Sequence, residues 1–510
     1  MLDIIFVVPN NANSIYQSLS NKYSAIETPT WALLLAQSCR KQGFKVKILD
    51  CLAENLGDDQ AYEKILENDL RLICFVVYGQ NVNAGTTNMS GATRLSKYLK
   101  TKNIKSLISF VGSHVQALPK ETLDEEDSID FVFLNEGVYS LWNILKNKEI
   151  NHLSIKKVKG IAYRENGNVI FTSPEKVVPN EKMDIDLPGY AWDLLPYKNK
   201  PFDLYRSPMW HAEYKDEYRS PYAAIQTSLG CQFKCSFCMI NLINRNDLEE
   251  IGVSSNYSGM RFWSPEFIIN EFDKLINYGV STIRIVDEMF LLNPKYYIPL
   301  CKLLSERNKD DKFRMWAYSR IDTIRRKNLL ELVRKAGIKW LCLGIESGDK
   351  KVRLEVAKGK FDDVNIEKVI NQVHDSGIEV MANYIYGLPG DTKETIEKTF
   401  QLSLKLNTLG WNTYAAMALP GSQLYKEALK NNIKMPENYE GFSFHSYNTQ
   451  PLPTETLSAG EVLKIRDKKF IEYHLNENFL KKIENKFGSA AKDNIVNMTK
   501  IKLKRKIYSD

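Results

Sequence analysis

The sequence predicts an α/β chain: a doubly wound parallel sheet, then a partial barrel of six βα units, then a helical carboxyl-terminal region. Two observations carry this reading. Short apolar runs alternate with amphipathic stretches over 1–145 and again over 221–430, and alternation at that pitch builds parallel sheets covered by helices. Between them, 146–220 breaks the pattern with Pro, Gly and charged residues, while 431–510 is helical and basic. The expected division is 1–145, 146–220, 221–430 and 431–510, in keeping with a few domains of about 150 residues each.

The first section opens with a strand at Asp3–Val8, and Pro29–Gln42 has helical spacing through Leu33, Leu34, Ala36 and Cys39. Strands follow at Phe44–Asp50, Leu72–Tyr78, Leu107–Val111 and Ile129–Leu134, with helices at Gly91–Leu99 and from Ser140. Ligands of such sheets bind at the carboxyl ends of the strands. Gly160–Thr172 alternates around Asn166-Gly167, a hairpin signal, and a linker then wraps between domains. The third section places strands at Ala223–Thr227, Thr282–Val286, Phe313–Ala317, Trp340–Gly344, Glu379–Tyr386 and Thr413–Ala418. Six units suit an open barrel, with its active site again at the strand carboxyl ends. Ser458 and Glu461 form a capping box that opens the helical cap.

Composition is that of a globular protein, with 44% apolar and 26% charged residues. The longest uncharged apolar runs fall far short of the about 20 residues a membrane helix needs. Met1-Leu2-Asp3 lacks the positive region of a secretory signal. A soluble, cytoplasmic protein without membrane contact is expected. The 69 Lys and Arg against 62 Asp and Glu leave a net +7, too little to mark a nucleic-acid binder. The basic tail Lys500, Lys502, Lys504, Arg505 and Lys506 reads as a solvated helix end.

Of eight cysteines, five are scattered and three fall together in Cys231-Gln232-Phe233-Lys234-Cys235-Ser236-Phe237-Cys238, directly after the strand Ala223–Thr227. A loop there curls three thiolates toward one point. Thiolates are the usual iron–sulfur ligands, and a cluster of four irons needs one ligand per iron. Three cysteines leave one iron open to an exogenous ligand, and an open position marks a catalytic site. The competing reading, structural zinc, needs a fourth ligand; the nearest are His211 and Cys301.

The C-x3-C-x-aromatic-C spacing after a first barrel strand resembles the radical S-adenosylmethionine (SAM) superfamily. The resemblance extends through Arg284-Ile285-Val286-Asp287-Glu288-Met289-Phe290, Trp316–Asp322, Gly344-Ile345-Glu346-Ser347-Gly348, Tyr386–Gly390 and Leu419–Ser422. It implies a [4Fe-4S] cluster on Cys231, Cys235 and Cys238 whose open iron binds the amino and carboxylate groups of SAM. One electron then yields methionine and a 5′-deoxyadenosyl radical. SAM contacts are expected from Phe237, Asp287, Glu288, Arg320, Glu346 and Ser347. Carboxylates suit the sulfonium and ammonium, and the Arg320 fork suits the carboxylate. The plainer alternatives are an Arg320–Asp322 surface pair and a loop-capping Asp287.

Residues 1–145 resemble the flavodoxin-like, cobalamin-binding domain that precedes the radical domain in one class of that superfamily. Gly112-Ser113-His114 through Ala117-Leu118-Pro119, Asn135-Glu136-Gly137 and the helix Thr30–Gly43 carry this. Cobalamin contacts are expected from Ser113, His114, Val115, Glu136 and Gly137. No D-x-H-x-x-G motif is present, so cobalamin is expected without a histidine ligand from the first strand's loop. The alternative is a scaffold domain, with His114 serving a loop hydrogen bond.

The resemblance implies a cobalamin-dependent radical SAM enzyme that methylates an unactivated carbon of a small-molecule substrate. Alternatives are radical rearrangement or cyclisation on the same scaffold, and a non-catalytic cobalamin or iron–sulfur sensor. A methylthiotransferase would instead need Cys39, Cys51 and Cys74 for a second cluster, although Cys39 and Cys74 fall in apolar patterns. The electron donor is expected to be a reductase, flavodoxin or ferredoxin. Substrate is expected between the cofactor domains, near Trp210, His211 and Tyr214, where aromatic packing is the plainer alternative.

Overall fold

The computed structural model describes residues 1–79, 84–208, 219–247, 252–324, 327–356 and 364–509. Seven strands form the first sheet: β1 (Ile4–Val8), β2 (Val46–Asp50), β3 (Leu72–Val76), β4 (Leu107–Val111), β5 (Phe131–Phe133), β6 (Ile161–Glu165) and β7 (Asn168–Phe171). Their order is 2-1-3-4-5-6-7, parallel through β5 and antiparallel beyond it. The central strands read as unbroken apolar runs because both faces are covered. Ile4, Phe6 and Cys74 pack with Trp31 and Leu34 of the helix Thr30–Lys41. Ile5, Val7 and Phe75 face Met89 and Leu95 of the helix Gly85–Thr101.

The hairpin turns at Asn166 and Gly167, both at positive φ. It is hydrogen-bonded to β5 and extends the sheet, so the first sheet is mixed and takes in part of 146–220. The stretch from Tyr190 to Tyr205 packs into the core. Tyr190, Trp192, Phe202 and Tyr205 are buried. Trp192 Nε1 donates to Glu271 Oε2 at 2.9 Å, and the Leu187 carbonyl accepts from Trp263 Nε1 at 2.7 Å.

The second sheet holds six parallel strands in an open half-barrel: β8 (Tyr222–Ile225), β11 (Thr282–Ile285), β12 (Arg314–Arg320), β13 (Ile338–Glu346), β14 (Glu379–Tyr386) and β15 (Gly410–Ala415). Between β8 and β11 lies an unforeseen antiparallel pair, β9 (Ser228–Cys231) with β10 (Gly259–Phe262). The open edge of β8 is finished by side chains. Thr28 Oγ1 donates to the Ala224 carbonyl at 3.0 Å and accepts the Ala224 N–H at 2.9 Å. Tyr190 Oη does the same for Gln226, at 2.7 and 2.9 Å. Two hydroxyls thus satisfy the backbone groups that a neighbouring strand would otherwise take.

Buried ion pairs also join the two sheets. Glu27 meets Arg284 of β11 at 2.5 Å, and Glu136 meets Arg261 of β10 at 2.7 Å. The cap begins with the capping box of Ser458 and Glu461 on the helix Ala459–His474. It reaches the first sheet as well, since Tyr439 lies edge-on to His114 at 5.2 Å and donates to Glu126 at 3.2 Å. The expected solvated tail needs correction at Arg505. That side chain is fully buried, paired with Asp467 and donating to the Ser446 carbonyl. No helix among the described residues is long and apolar enough to cross a membrane.

Candidate active site

The three clustered cysteines leave the carboxyl end of β8 through β9. Cys231 is the last residue of β9, and its N–H donates to Asn241 Oδ1 at 2.8 Å. Gly230 before it has φ +82, and a Cβ there would run into the Gly259 carbonyl oxygen. Only glycine lets β9 and β10 approach so closely. The loop is held from two further sides: Ser236 N–H donates to the Val356 carbonyl at 3.0 Å, and its carbonyl accepts from Leu424 N–H at 2.9 Å.

None of the three forms a disulfide. Burial pushes Cys231 up to about 12 and Cys235 up to about 11, and Cys238 well above the usual thiol range. The charges of the other thiols and of Glu288 push Cys231 and Cys238 the same way, while Arg320 pulls Cys231 and Cys235 down. All three lie on one loop, within eight residues of each other. Thiols so reluctant to ionise alone become ligands only when a bound cation takes the proton's place. No three His, Cys, Asp or Glu side chains among the described residues converge to hold a single metal ion. Three thiols on one loop suit an open polynuclear cluster.

Around this loop the expected SAM residues divide. Arg320, 4% exposed, grips Asp322 through two bonds of 2.6 Å, stacks over Phe233 at 3.7 Å and reaches Cys235 Sγ at 3.8 Å. The pair is buried, not the surface pair considered above. Glu346 sits at a β-bulge with φ +64. The bulge turns its Oε1 back over Gly344, toward the inner face of the barrel. Burial raises both Glu346 and Glu288 to about 7. Phe237 is half-buried against Leu388, just past β14, and Leu424 of the helix Gln423–Lys430.

Two of the expected residues have partners within the chain. Asp287 accepts from Thr227 N–H, Thr227 Oγ1 and Ser228 Oγ, each at 2.6 Å. Its oxygens brace the start of the cysteine loop, the arrangement of the loop-capping alternative. Ser347 Oγ contacts Thr399 Oγ1 at 3.2 Å and accepts Asp349 N–H at 3.1 Å, which fixes a turn.

In the first sheet, the β2-β1-β3-β4-β5 order puts the ligand crevice at the carboxyl ends of β1 and β3. Ser113 lies against Gly85 at the neighbouring helix start. His114 is fully packed, with Nδ1 3.2 Å from Thr86 Oγ1, and burial lowers it to about 3. A neutral imidazole in a loop hydrogen bond matches the plainer alternative. Val115 is core, beside Phe110 and Met89. Glu136 pairs with Arg261 and accepts Val178 N–H. Gly137, at φ +83, starts the helix Val138–Leu145.

Cys39, Cys51 and Cys74 are buried at no more than 1% exposure in the first domain's cores. Trp210, His211 and Tyr214 lie outside the described residues. Sequence reasoning missed Glu27, Arg284, Arg261 and Asn241. A charged residue inside the apolar run Thr282–Val286 was the available signal for one of them.

Residues 18–144 match the family model of the B12 binding domain, and residues 225–403 match that of the radical SAM superfamily. The chain carries a B12-binding domain followed by a radical SAM domain. It is 25% identical over 489 residues to an uncharacterized methyltransferase of Pyrococcus horikoshii, covering 94% of each chain. It is 23% identical over 476 residues to the anaerobic magnesium-protoporphyrin IX monomethyl ester cyclase of Cereibacter sphaeroides, covering 90% of this chain and 68% of that one. Its fold matches a radical SAM methyltransferase of Kitasatospora setae solved with cobalamin and a [4Fe-4S] cluster. That match has a TM-score of 0.62 at 14% identity, covering 84% of this chain and 75% of the other.

Proposed function

We propose that this chain is a cobalamin-dependent radical SAM enzyme that transfers a methyl group to an unactivated carbon of a small molecule. The observation that carries the reading is three cysteines within eight residues, on the loop that leaves the carboxyl end of the first barrel strand through β9. Cys231, Cys235 and Cys238 would hold a [4Fe-4S] cluster, leaving one iron for SAM. Reduction of SAM there supplies a 5′-deoxyadenosyl radical, and cobalamin, when bound, supplies the methyl group.

The chain's own residues orient and shield. Phe237, Glu288, Arg320 and Glu346 stand beside the cysteine loop and would contact SAM, while Asp287 and Ser347 hold the backbone that carries them. Arg320 keeps its guanidinium near Cys235 because Asp322 and Phe233 fix it. The crevice at β1 and β3, with Ser113 and Gly137 at its margin, would take cobalamin without a histidine ligand. The connection after β1 already enters the barrel through Glu27, which supports a shared chamber. The reading includes a cytoplasmic location and a flavodoxin, ferredoxin or reductase as electron donor.

Anaerobic reconstitution with iron and sulfide tests this. Cys235→Ala is expected to lose iron and reductive SAM cleavage together; retained cleavage would refute the ligand assignment. Hydroxocobalamin is expected to co-elute with the native chain. With substrate, S-adenosylhomocysteine and 5′-deoxyadenosine are expected together. The second reading is cyclisation, favoured by the likeness to the monomethyl ester cyclase over 90% of the chain; it predicts 5′-deoxyadenosine alone.

A further inference from the structure

The inner face of the half-barrel sets polar side chains among apolar ones such as Trp316, Cys342 and Met381. Arg284 of β11, Tyr318 of β12, Asn383 of β14 and Tyr414 of β15 stand inside, while the intervening Ile283, Ala317 and Ala382 pack outward against helices. The Arg284 guanidinium lies 4.7 Å from the centre of the Tyr318 ring. Asn383 Oδ1 accepts from Asn412 at 3.1 Å.

Segments outside the barrel complete this wall. Tyr16 and Glu27 enter from the connection after β1, and Phe444 and His445 enter from the carboxyl-terminal segment. Tyr16 and His445 have ring centres 5.3 Å apart, and Tyr414 meets Phe444 edge-on at 5.1 Å. Tyr16, Tyr318, Tyr414 and His445 each keep some accessible surface. Burial nevertheless dominates their protonation, raising the phenols and lowering the imidazole. Accessible surface deep within the fold is the mark of a cavity, here walled by aromatic rings and carboxamides with few charges.

The cations near that cavity are committed. Arg284 is held by Glu27, both more than nine-tenths buried. Arg320 is held by Asp322. Arg466 lies behind the Phe444 ring and shares Asp467 with Arg505. Glu27 therefore cancels the cation that stands on the cavity wall itself. An anionic ligand would have to displace Glu27 or lie beside it, and like charges brought together in a desolvated site are strongly disfavoured.

We infer that the cavity receives an uncharged aromatic or heteroaromatic group of the substrate, and that Glu27 sets this preference by neutralising Arg284. The inference rests on the function proposed above only in taking the cavity as the substrate's place. Specificity is then split across the two domains. The barrel supplies the cation, and the connection after β1 supplies the carboxylate that silences it together with the Tyr16 ring.

Three isosteric probes test it by equilibrium dialysis with the reconstituted enzyme: 2-naphthamide, 2-naphthoate and 2-naphthylmethylamine. Native protein is expected to bind the amide at least about tenfold more tightly than either charged probe. Glu27→Gln is expected to raise naphthoate affinity by about tenfold or more, with the amide little changed. Equal or tighter naphthoate binding by native protein, no measurable amide binding, or an unaltered ranking in Glu27→Gln overturns the inference. Should Glu27→Gln not fold, the pair Glu27→Gln with Arg284→Gln replaces it. That variant is expected to keep the native ranking, and a gain of naphthoate preference overturns the inference. Reductive SAM cleavage by the same preparations reports separately on the proposed function. Cleavage retained with the ranking lost overturns the cavity assignment alone.

Discussion

Asp287→Ala removes the acceptor of three hydrogen bonds at once. The carboxylate is 2% exposed and takes Thr227 N–H, Thr227 Oγ1 and Ser228 Oγ, each at 2.6 Å. Hydrogen bonds to a charged group contribute roughly 1.5–3 kcal/mol each. The two hydroxyls swing to other acceptors after truncation, but the Thr227 N–H has none. Bonds sharing one acceptor are not additive, so the expected loss is about 3–5 kcal/mol rather than the full sum. Asp287→Asn keeps one oxygen for the N–H and offers an amide to hydroxyls that can rotate to accept; it is expected to cost about 1–2 kcal/mol. The assays are the urea midpoint of the apoprotein, iron per chain after reconstitution, and SAM affinity of the loaded fraction. A brace predicts that midpoint and iron loading fall together while SAM affinity of the loaded fraction stays as in native protein. A loss below about 1 kcal/mol, or fully loaded protein that no longer binds SAM, would refute the brace and return Asp287 to the cofactor.

Arg261→Met strands Glu136 in the domain interface and is expected to cost about 3–5 kcal/mol, most of it regained by adding Glu136→Met; equal losses in both variants would contradict this. Thr28→Val keeps shape but orphans both Ala224 backbone groups, an expected loss of about 2–4 kcal/mol in urea denaturation. Burial raises Asp50 from 3.8 to about 6. The folded state therefore holds that proton where the unfolded chain has lost it, and the stability it lends is fully present below about pH 4 and gone above about pH 6. Relative to Asp50→Asn, native protein is expected to lose stability across that window and run parallel above it. A parallel course throughout would show that Asp50 titrates normally.

The parallel strands were legible because their apolar runs are local, and β4 and β14 fall at the residues the runs mark. The pair β9–β10 was not, since Ser228-Leu229-Gly230-Cys231 has no alternation and its pairing depends on Gly259 far along the chain. Residue chemistry was easier to read than residue partners. Asp287 and Glu136 are buried carboxylates in functional-looking loops, but their partners lie 60 and 125 positions away. Nothing near either residue states which donor will claim it. Arg505 shows the same limit, for a basic run reads as solvated until Asp467 captures one member. The cysteine cluster was legible because its partners are each other.

The Thr28 and Tyr190 hydroxyls on β8 bear on how this protein can be handled. A piece starting near residue 221 would lack both, and its first strand would present bare amides and carbonyls along one side. Such a margin recruits any extended segment it meets, including another copy of itself. Dissecting the chain into halves is thus expected to give filaments or precipitate from the second half, and co-expression with residues 1–208 is expected to rescue it.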